Sequence, residues 1–182
     1  TVKRLSPANQ EGQHRYNMSP TGKWAVHTFS NAATPSIIDM VSFPKHQSVR
    51  TIEDNADARE RYKALGLNPK EFVKVKSGNL TLDAWMIKPV DFDSTKKYPV
   101  IVEVYGEPAS STVQDVWGGG DLWNQYIANL GYIVVSIDNR GANVPRGREW
   151  RKCIYGEVGT FASEDQARGV QDIARRYSFI DS

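Results

Sequence analysis

The 182-residue sequence has a single cysteine, no long apolar run and almost no net charge, and each absence excludes a class of protein. Cys153 alone can form neither an intrachain disulfide nor a cysteine-rich metal site. No apolar stretch approaches the roughly 20 residues of a membrane span, and the first residues contain no apolar segment of the signal-peptide type. The 23 Lys and Arg residues nearly balance the 21 Asp and Glu residues, so the composition gives no reason to expect a nucleic acid as partner.

Histidine is also scarce, and its distribution argues against metal and hydrolase sites. His14, His27 and His46 all lie in the first quarter of the chain, without a His-x-x-x-His or Cys-x-x-Cys pair. We therefore expect neither a metal nor another cofactor, and interpret the three histidines as surface or strand residues. No serine lies in a Gly-x-Ser-x-Gly motif and no histidine follows His46, so we expect no Ser-His-Asp site within this chain.

The remaining candidates for chemistry are isolated residues. Ser136 lies inside an apolar strand pattern, residues 110–111 are serines of a loop, and Cys153 lies between basic and apolar neighbours without a general base. The glycines of 118–120 and 156–159 lack the spacing of a dinucleotide fingerprint or a P-loop. A nucleotide-binding doubly wound domain is therefore the least favoured of the alternatives.

Turn residues divide the first 53 residues into short strands, which predict a β-meander that is part of a larger sheet. Its predicted strands are 15–18, 24–30 and 36–43. The residues of 54–70 predict a helical connector. Asp54 or Asn55 is the candidate N-cap of its helix over 56–65, and Gly66 follows the last turn.

The residues of 71–182 have the pattern of an α/β fold with an antiparallel start. Alternating residues around 77–79 predict a hairpin. The β-branched runs 98–106 and 132–141 predict parallel strands covered on both faces, joined by a crossover helix. The sequence therefore predicts an α/β class with a mixed sheet.

Two helices of this second segment have predicted buried faces. Asp121 is the candidate cap of the crossover helix, and Ser163 with Gln166 has the spacing of a capping box for the second helix. The apolar residues expected to share the inner face are Leu122, Tyr126 and Leu130 in the first helix, and Ala167, Val170, Ala174 and Tyr177 in the second.

Three ordered motifs closely resemble the prolyl oligopeptidase family of serine peptidases, in its dipeptidyl peptidase IV branch. They are YPVIVEVYGEP at 98–108, IVVSIDNRGANVPRGREW at 133–150 and YGEVGTFASEDQ at 155–166. The upstream residues resemble the last blade of that branch's β-propeller. The resemblance implies the end of a propeller over 1–53, a helical connector over 54–70, and the N-terminal half of an α/β-hydrolase domain over 71–182.

The resemblance implies a longer serine exopeptidase that removes N-terminal dipeptides or tripeptides, with proline or alanine before the scissile bond. Its Ser, Asp and His would follow residue 182, so the isolated chain is expected to be inactive and to self-associate through an uncovered sheet edge. The family further implies peptide substrates, a homodimer, and an extracytoplasmic or periplasmic location. The alternative is a non-catalytic propeller and hydrolase-fold protein that serves binding.

One catalytic group of the family falls within the chain. Tyr105 matches the tyrosine whose hydroxyl donates to the oxyanion hole, and Glu107 stands where many relatives have a second glycine. The D-x-R-G turn (Asp138, Arg140, Gly141) and the E-D-Q helix start (164–166) are interpreted as structural, capping a turn and a helix, with Arg140 paired to a carboxylate. Trp117 and Trp123 are expected in the core or at a domain interface.

Overall fold

The computed structural model describes residues 3–108, 110–118 and 121–181. These residues form two compact units. The first runs as far as Gly66 and takes in the short segment that begins at Asp115, and the second begins at Leu67 and contains the remaining residues.

The first unit is built on a four-stranded antiparallel sheet in the order β1-β2-β3-β4. The predicted meander is confirmed, with one strand more than the sequence indicated. That strand, β4, is exposed at all seven positions, so it has no alternation of buried and exposed residues by which to predict it. The strands are β1 (Gln13–Met18), β2 (Trp24–Asn31), β3 (Thr34–Ser42) and β4 (Gln47–Glu53).

The predicted helix of the connector is present as α1 (Ala56–Ala64). Asn55 occupies the N-cap position but its side chain makes no capping hydrogen bond, whereas the preceding Asp54 carboxylate accepts a hydrogen bond of 2.9 Å from the Ala56 N–H. The Asn55 amide instead donates to the Ser36 carbonyl at 2.6 Å. Gly66 follows the helix with a φ of 61°, as a C-terminal glycine is expected to do.

The second unit contains a mixed sheet in the order β5-β6-β8-β7, formed by β5 (Glu71–Ser77), β6 (Leu80–Ile87), β7 (Val100–Glu103) and β8 (Ile133–Asp138). Only β7 and β8 are parallel among these neighbours. The predicted hairpin is confirmed, since Ser77 pairs with Leu80 across a two-residue turn. The fold is therefore α/β with an antiparallel start.

Strand β7 differs from the prediction in length and burial. It covers four residues instead of the run 98–106, and it lies at one end of the sheet order, where Ile101 and Glu103 are exposed. By contrast, β8 lies between β6 and β7 and is buried at all six positions. A run of β-branched residues therefore occurs both in a central strand and in a strand at the end of the sheet order. Side-chain type alone does not determine which neighbours a strand has.

Three helices complete the second unit: α2 (Asp121–Asn129), α3 (Gly147–Lys152) and α4 (Thr160–Arg176). The short helix α3 lies in the connection between β8 and α4. Helix α4 packs on the sheet through Ile173, which is fully buried with Val75, Leu82 and Val135. Beside β7, Tyr98 forms an isolated parallel bridge with Ile180, close to the end of the described residues.

The predicted inner face of α2 is wrong. Its buried residues are Asn124, Gln125 and Ala128, whereas Leu122, Tyr126 and Leu130 are exposed. Both buried amides donate a hydrogen bond, Asn124 to the Glu103 carboxylate at 2.6 Å and Gln125 to the Asn68 carbonyl at 2.7 Å, while Gln125 Oε1 has no partner among the described residues. The buried side of α2 is therefore largely polar, with partners at the end of β7 and in the segment that precedes β5.

The prediction for α4 is wrong in its start and partly wrong in its inner face. The helix begins at Thr160, so Ser163 and Gln166 form no capping box. Ala167 is exposed, while Val170, Ala174 and Tyr177 are partly buried against the core. The fully buried face is largely polar, and it approaches the sheet at Gly169, where an added Cβ would lie 2.7 Å from Ile137 Cδ1.

Candidate functional site

The candidate site lies at the carboxyl ends of β7 and β8. These ends are adjacent because the two strands are parallel, with Glu103 opposite Ser136. Tyr105 follows β7 by two residues and is 48% exposed. No hydrogen bond of its hydroxyl is found among the described residues, so the phenol O–H is available to a ligand. The carboxyl end of a parallel strand is the usual place for such groups in α/β folds.

Asp138, the last residue of β8, anchors the loop that follows Tyr105. Its carboxylate accepts hydrogen bonds from the Thr112 N–H at 2.8 Å and the Val113 N–H at 3.3 Å. Burial raises the pKa of Asp138, against the lowering effect of these backbone donors. The Thr112 carbonyl in turn accepts from the Trp85 indole N–H at 3.0 Å. The loop is thus fixed to two strands of the sheet.

Arg140 and Asp165 form a buried ion pair behind this strand end. The Asp165 carboxylate is fully buried and accepts from Arg140 Nε at 2.9 Å, from the Arg140 backbone N–H at 2.8 Å and from Ser77 Oγ at 2.6 Å. Glu164 also pairs with Arg140, at 2.6 Å. The hydrogen bonds that Arg140 donates to Asp165 raise the pKa of Arg140 above its usual value. The predicted pairing of Arg140 with a carboxylate is therefore confirmed.

The role of this ion pair is structural. Every charged atom of Asp165 points to a partner within the protein, and the pair joins β5, the end of β8 and α4. Gly141 is required at the same turn, because its φ is 86° and an added Cβ would lie 2.5 Å from the Ile154 side chain. The D-x-R-G motif thus shapes a tight turn, whereas the predicted capping role of 164–166 is wrong because α4 begins earlier.

Comparison with known proteins places this geometry in a family. The family model described as the prolyl oligopeptidase family matches residues 120–182. A crystal structure of Porphyromonas gingivalis dipeptidyl peptidase 4 is 38% identical, with a TM-score of 0.87 over 93% of this chain. "Probable dipeptidyl-aminopeptidase B" of Paracoccidioides brasiliensis is 32% identical over 92% of the chain. The chain belongs to the prolyl oligopeptidase family, in its dipeptidyl peptidase IV branch.

The match covers most of this chain but only part of each relative. The chain spans 24% of the P. gingivalis structure and 18% of the P. brasiliensis protein. A bovine relative named "Prolyl endopeptidase FAP" is 32% identical over 74% of the chain and is covered to 17%. In the architecture of this family the chain comprises the end of the propeller and part of the hydrolase domain.

The three histidines, far apart in the sequence, meet on one face of the first unit. His27 is buried and stacks between His14 and Tyr16, at ring distances of 5.1 Å and 4.8 Å. His46 lies edge-on to His27 at 4.8 Å, and its Nε2 is 2.9 Å from the Tyr16 hydroxyl. Sequence reasoning missed this cluster, because the antiparallel register that joins the strands is not visible in the spacing of the histidines.

A chain of hydrogen bonds runs through the histidine cluster. It leads from Asp39 to His27 Nδ1 (2.8 Å), from His27 Nε2 to His14 Nδ1 (2.9 Å) and from His14 Nε2 to the Gln10 carbonyl (3.1 Å). The Asp39 carboxylate and the Gln10 carbonyl are the acceptors at the two ends of this chain. Desolvation lowers the pKa of His27, against the raising effect of its hydrogen bond to Asp39.

The other candidates of the sequence do not form sites. No group of three or more metal-ligating side chains occurs among the described residues, and no helix in that part of the chain is long and apolar enough to cross a membrane. Cys153 is exposed. Gly119 and Gly120 lie outside the described residues. Trp117 packs edge-on against Tyr62 at 4.7 Å, whereas Trp123 is 65% exposed and therefore not in the core.

Proposed function

We propose that the full-length protein containing this chain is a serine exopeptidase that removes N-terminal dipeptides, with proline or alanine before the scissile bond. The proposal rests on the similarity to dipeptidyl peptidase 4 of P. gingivalis over 93% of the chain. Hydrolysis would proceed through an acyl-enzyme formed on a serine outside this chain. Neither a Gly-x-Ser-x-Gly motif nor a histidine after His46 occurs here, so the chain by itself is expected to lack peptidase activity.

In this proposal Tyr105 supplies one donor of the oxyanion hole. When the serine attacks the scissile carbonyl, negative charge develops on the carbonyl oxygen, and a donor already aimed at that oxygen stabilises the transition state. Tyr105 fits this role because it follows a parallel strand, is half exposed and has a hydroxyl without a partner among the described residues. Glu107, two residues on, is also exposed, and no hydrogen bond joins it to Tyr105 in the described part of the chain.

The test is Tyr105→Phe in the full-length protein, assayed with a dipeptidyl p-nitroanilide that has proline in the second position. Loss of one oxyanion donor should lower kcat by about 100-fold or more and leave KM within about twofold, since the bond forms only in the transition state. Tyr155→Phe is the matched control, because Tyr155 is 88% exposed in the same unit. A wild-type kcat for Tyr105→Phe would contradict the assignment.

A further inference from the structure

The segment that carries Tyr105 is irregular and is held by side chains from the end of β8. It lies between Glu103, where β7 ends, and Gly106, which has a φ of 79°. Neither strand nor helix hydrogen bonds fix the peptide groups on either side of Tyr105. The orientation of its hydroxyl therefore depends on whatever holds the carbonyl groups of Glu103 and Gly106.

Ser136 holds the backbone before Tyr105. Its side chain is fully buried, and its Oγ donates a hydrogen bond of 2.6 Å to the Glu103 carbonyl. Since the single hydroxyl hydrogen of Ser136 is used in this bond, the Thr112 hydroxyl donates to Ser136 Oγ, at 2.7 Å. Thr112 is itself anchored on Asp138. The hydroxyl of Ser136 is thus fixed in direction from its acceptor side as well as its donor side.

Asn139 holds the backbone after Tyr105. Its Nδ2 donates to the Gly106 carbonyl at 3.3 Å and to the Arg140 carbonyl at 2.8 Å. Its Oδ1 accepts from the Gln166 amide at 3.3 Å, and the same amide donates to the Ile137 carbonyl at 2.7 Å. The side chain of Asn139 is therefore oriented by α4, and it is almost fully buried.

We propose that Ser136 and Asn139 are positioning residues for Tyr105, holding the carbonyls of Glu103 and Gly106 so that the phenol is aimed at the oxyanion. The inference rests on the oxyanion role proposed for Tyr105. A donor displaced by a fraction of an ångström loses much of its effect on the transition state, so the supporting residues matter as much as the donor. Two bonds, one on each side of Tyr105, restrict the segment more than either does alone.

The experiment is a double-mutant cycle in the full-length protein, with the same p-nitroanilide substrate. Ser136→Ala and Asn139→Ala should each lower kcat by about tenfold with KM nearly unchanged. In the Tyr105→Phe background the same substitutions should change kcat by less than about twofold, because no hydroxyl remains to be aimed. A residue that only stabilises the fold would lower kcat equally in both backgrounds.

Asn68→Ala is the matched control, since the Asn68 amide also donates to backbone carbonyls, those of Lys88 and Pro89, in the same unit. It should reduce stability and leave kcat unchanged. If Ser136→Ala fails to fold, the double-mutant cycle is measured with Asn139→Ala and Asn139→Asp instead. The aspartate variant keeps the oxygen that accepts from Gln166 and removes the N–H that donates to the Gly106 carbonyl.

Two results would overturn the inference, and they are distinguishable from a failure of the proposed function. The first is that the Ser136 and Asn139 substitutions lower kcat equally in the wild-type and Tyr105→Phe backgrounds, or that neither lowers kcat when made alone. Either outcome would show that Ser136 and Asn139 do not act through Tyr105. A wild-type kcat for Tyr105→Phe alone would instead remove the oxyanion role of Tyr105, and the positioning role with it.

Discussion

The two units of the chain bury polar side chains in different ways. In the first unit, aromatic rings are stacked and a single carboxylate, that of Asp39, terminates a chain of imidazole hydrogen bonds. In the second unit, a guanidinium and a fully buried carboxylate, those of Arg140 and Asp165, are joined by several direct bonds. The first arrangement links imidazole rings through single hydrogen bonds, whereas the second joins opposite charges through several bonds at once.

The two arrangements predict different sensitivities to substitution in the two units. A buried ion pair with all its bonds satisfied is costly to break on one side, because the partner charge is left without compensation. Removing the carboxylate that ends the chain of imidazoles costs one hydrogen bond to a charged acceptor, and the rings can partly rearrange. The loss of stability should therefore be smaller than for the ion pair. Three substitutions test this comparison, each read by amide hydrogen exchange of the full-length protein, which resolves local stability.

The largest effect is expected for Asp165→Ala in the second unit. The substitution removes the acceptor of Arg140 and Ser77 in a fully buried position, so protection of β5 and α4 should fall by about 3 to 5 kcal/mol. The control is Arg168→Ala, which removes only an exposed i,i+4 pair with Glu164 and should cost about 0.5 kcal/mol or less. Similar losses in the two variants would contradict the distinction between the buried pair and the exposed pair.

A smaller effect is expected for Asp39→Ala in the first unit. His27 loses its acceptor, the carboxylate that ends the chain of imidazole hydrogen bonds. Protection of β1 to β3 should fall by about 1.5 to 3 kcal/mol, the range for a hydrogen bond to a charged group. Glu60→Ala, an exposed acidic position on α1, should leave the exchange rates unchanged. Unchanged protection in Asp39→Ala would show that the cluster does not stabilise the sheet.

The smallest effect is expected for Asp172→Asn, and it should depend on pH. Burial alone would raise the pKa of Asp172, but hydrogen bonds from the Lys76 N–H and from Arg176 lower it overall. The carboxylate therefore contributes stability above about pH 4, and this contribution is lost as the pH falls through the lowered folded pKa. The variant should lose about 1 kcal/mol at neutral pH.

The exchange rates of β5 and α4 at pH 7 and at pH 3 provide the measurement for Asp172→Asn. The difference between wild type and variant should narrow at the lower pH, because both side chains approach neutrality there. Asp91→Asn, at an exposed position of the same unit, is the control and should show no difference at either pH. A difference that widens on acidification would contradict the sign of the shift.

Much of the fold could be predicted from the sequence, because strands, turns and helices each have local signals. The hairpin at 77–79, the buried strand β8 and the glycine after α1 all follow from side-chain type and order. The inner faces of α2 and α4 could not be predicted in this way. Their buried sides are rich in amides and carboxylates, whose partners come from distant strands.

The candidate site was predictable only in part. Tyr105 was indicated by its motif, but Ser136 was interpreted as an ordinary strand residue and Asn139 was not singled out. A signal did exist, since a serine inside an otherwise apolar buried strand must find a hydrogen-bond partner. Which carbonyl that partner would be depends on the parallel pairing of β7 with β8, which local sequence does not encode.

Residue type and local order are sufficient to predict the family, the α/β class and the absence of a Gly-x-Ser-x-Gly motif from this chain. Tertiary structure alone decided that three distant histidines form one cluster, that β7 lies at the end of the sheet order, and that the end of β8 holds the Tyr105 segment. These depend on strand register and on long-range polar pairing. Hydrogen bonds between residues far apart in the chain produce no periodic pattern of residues in its sequence.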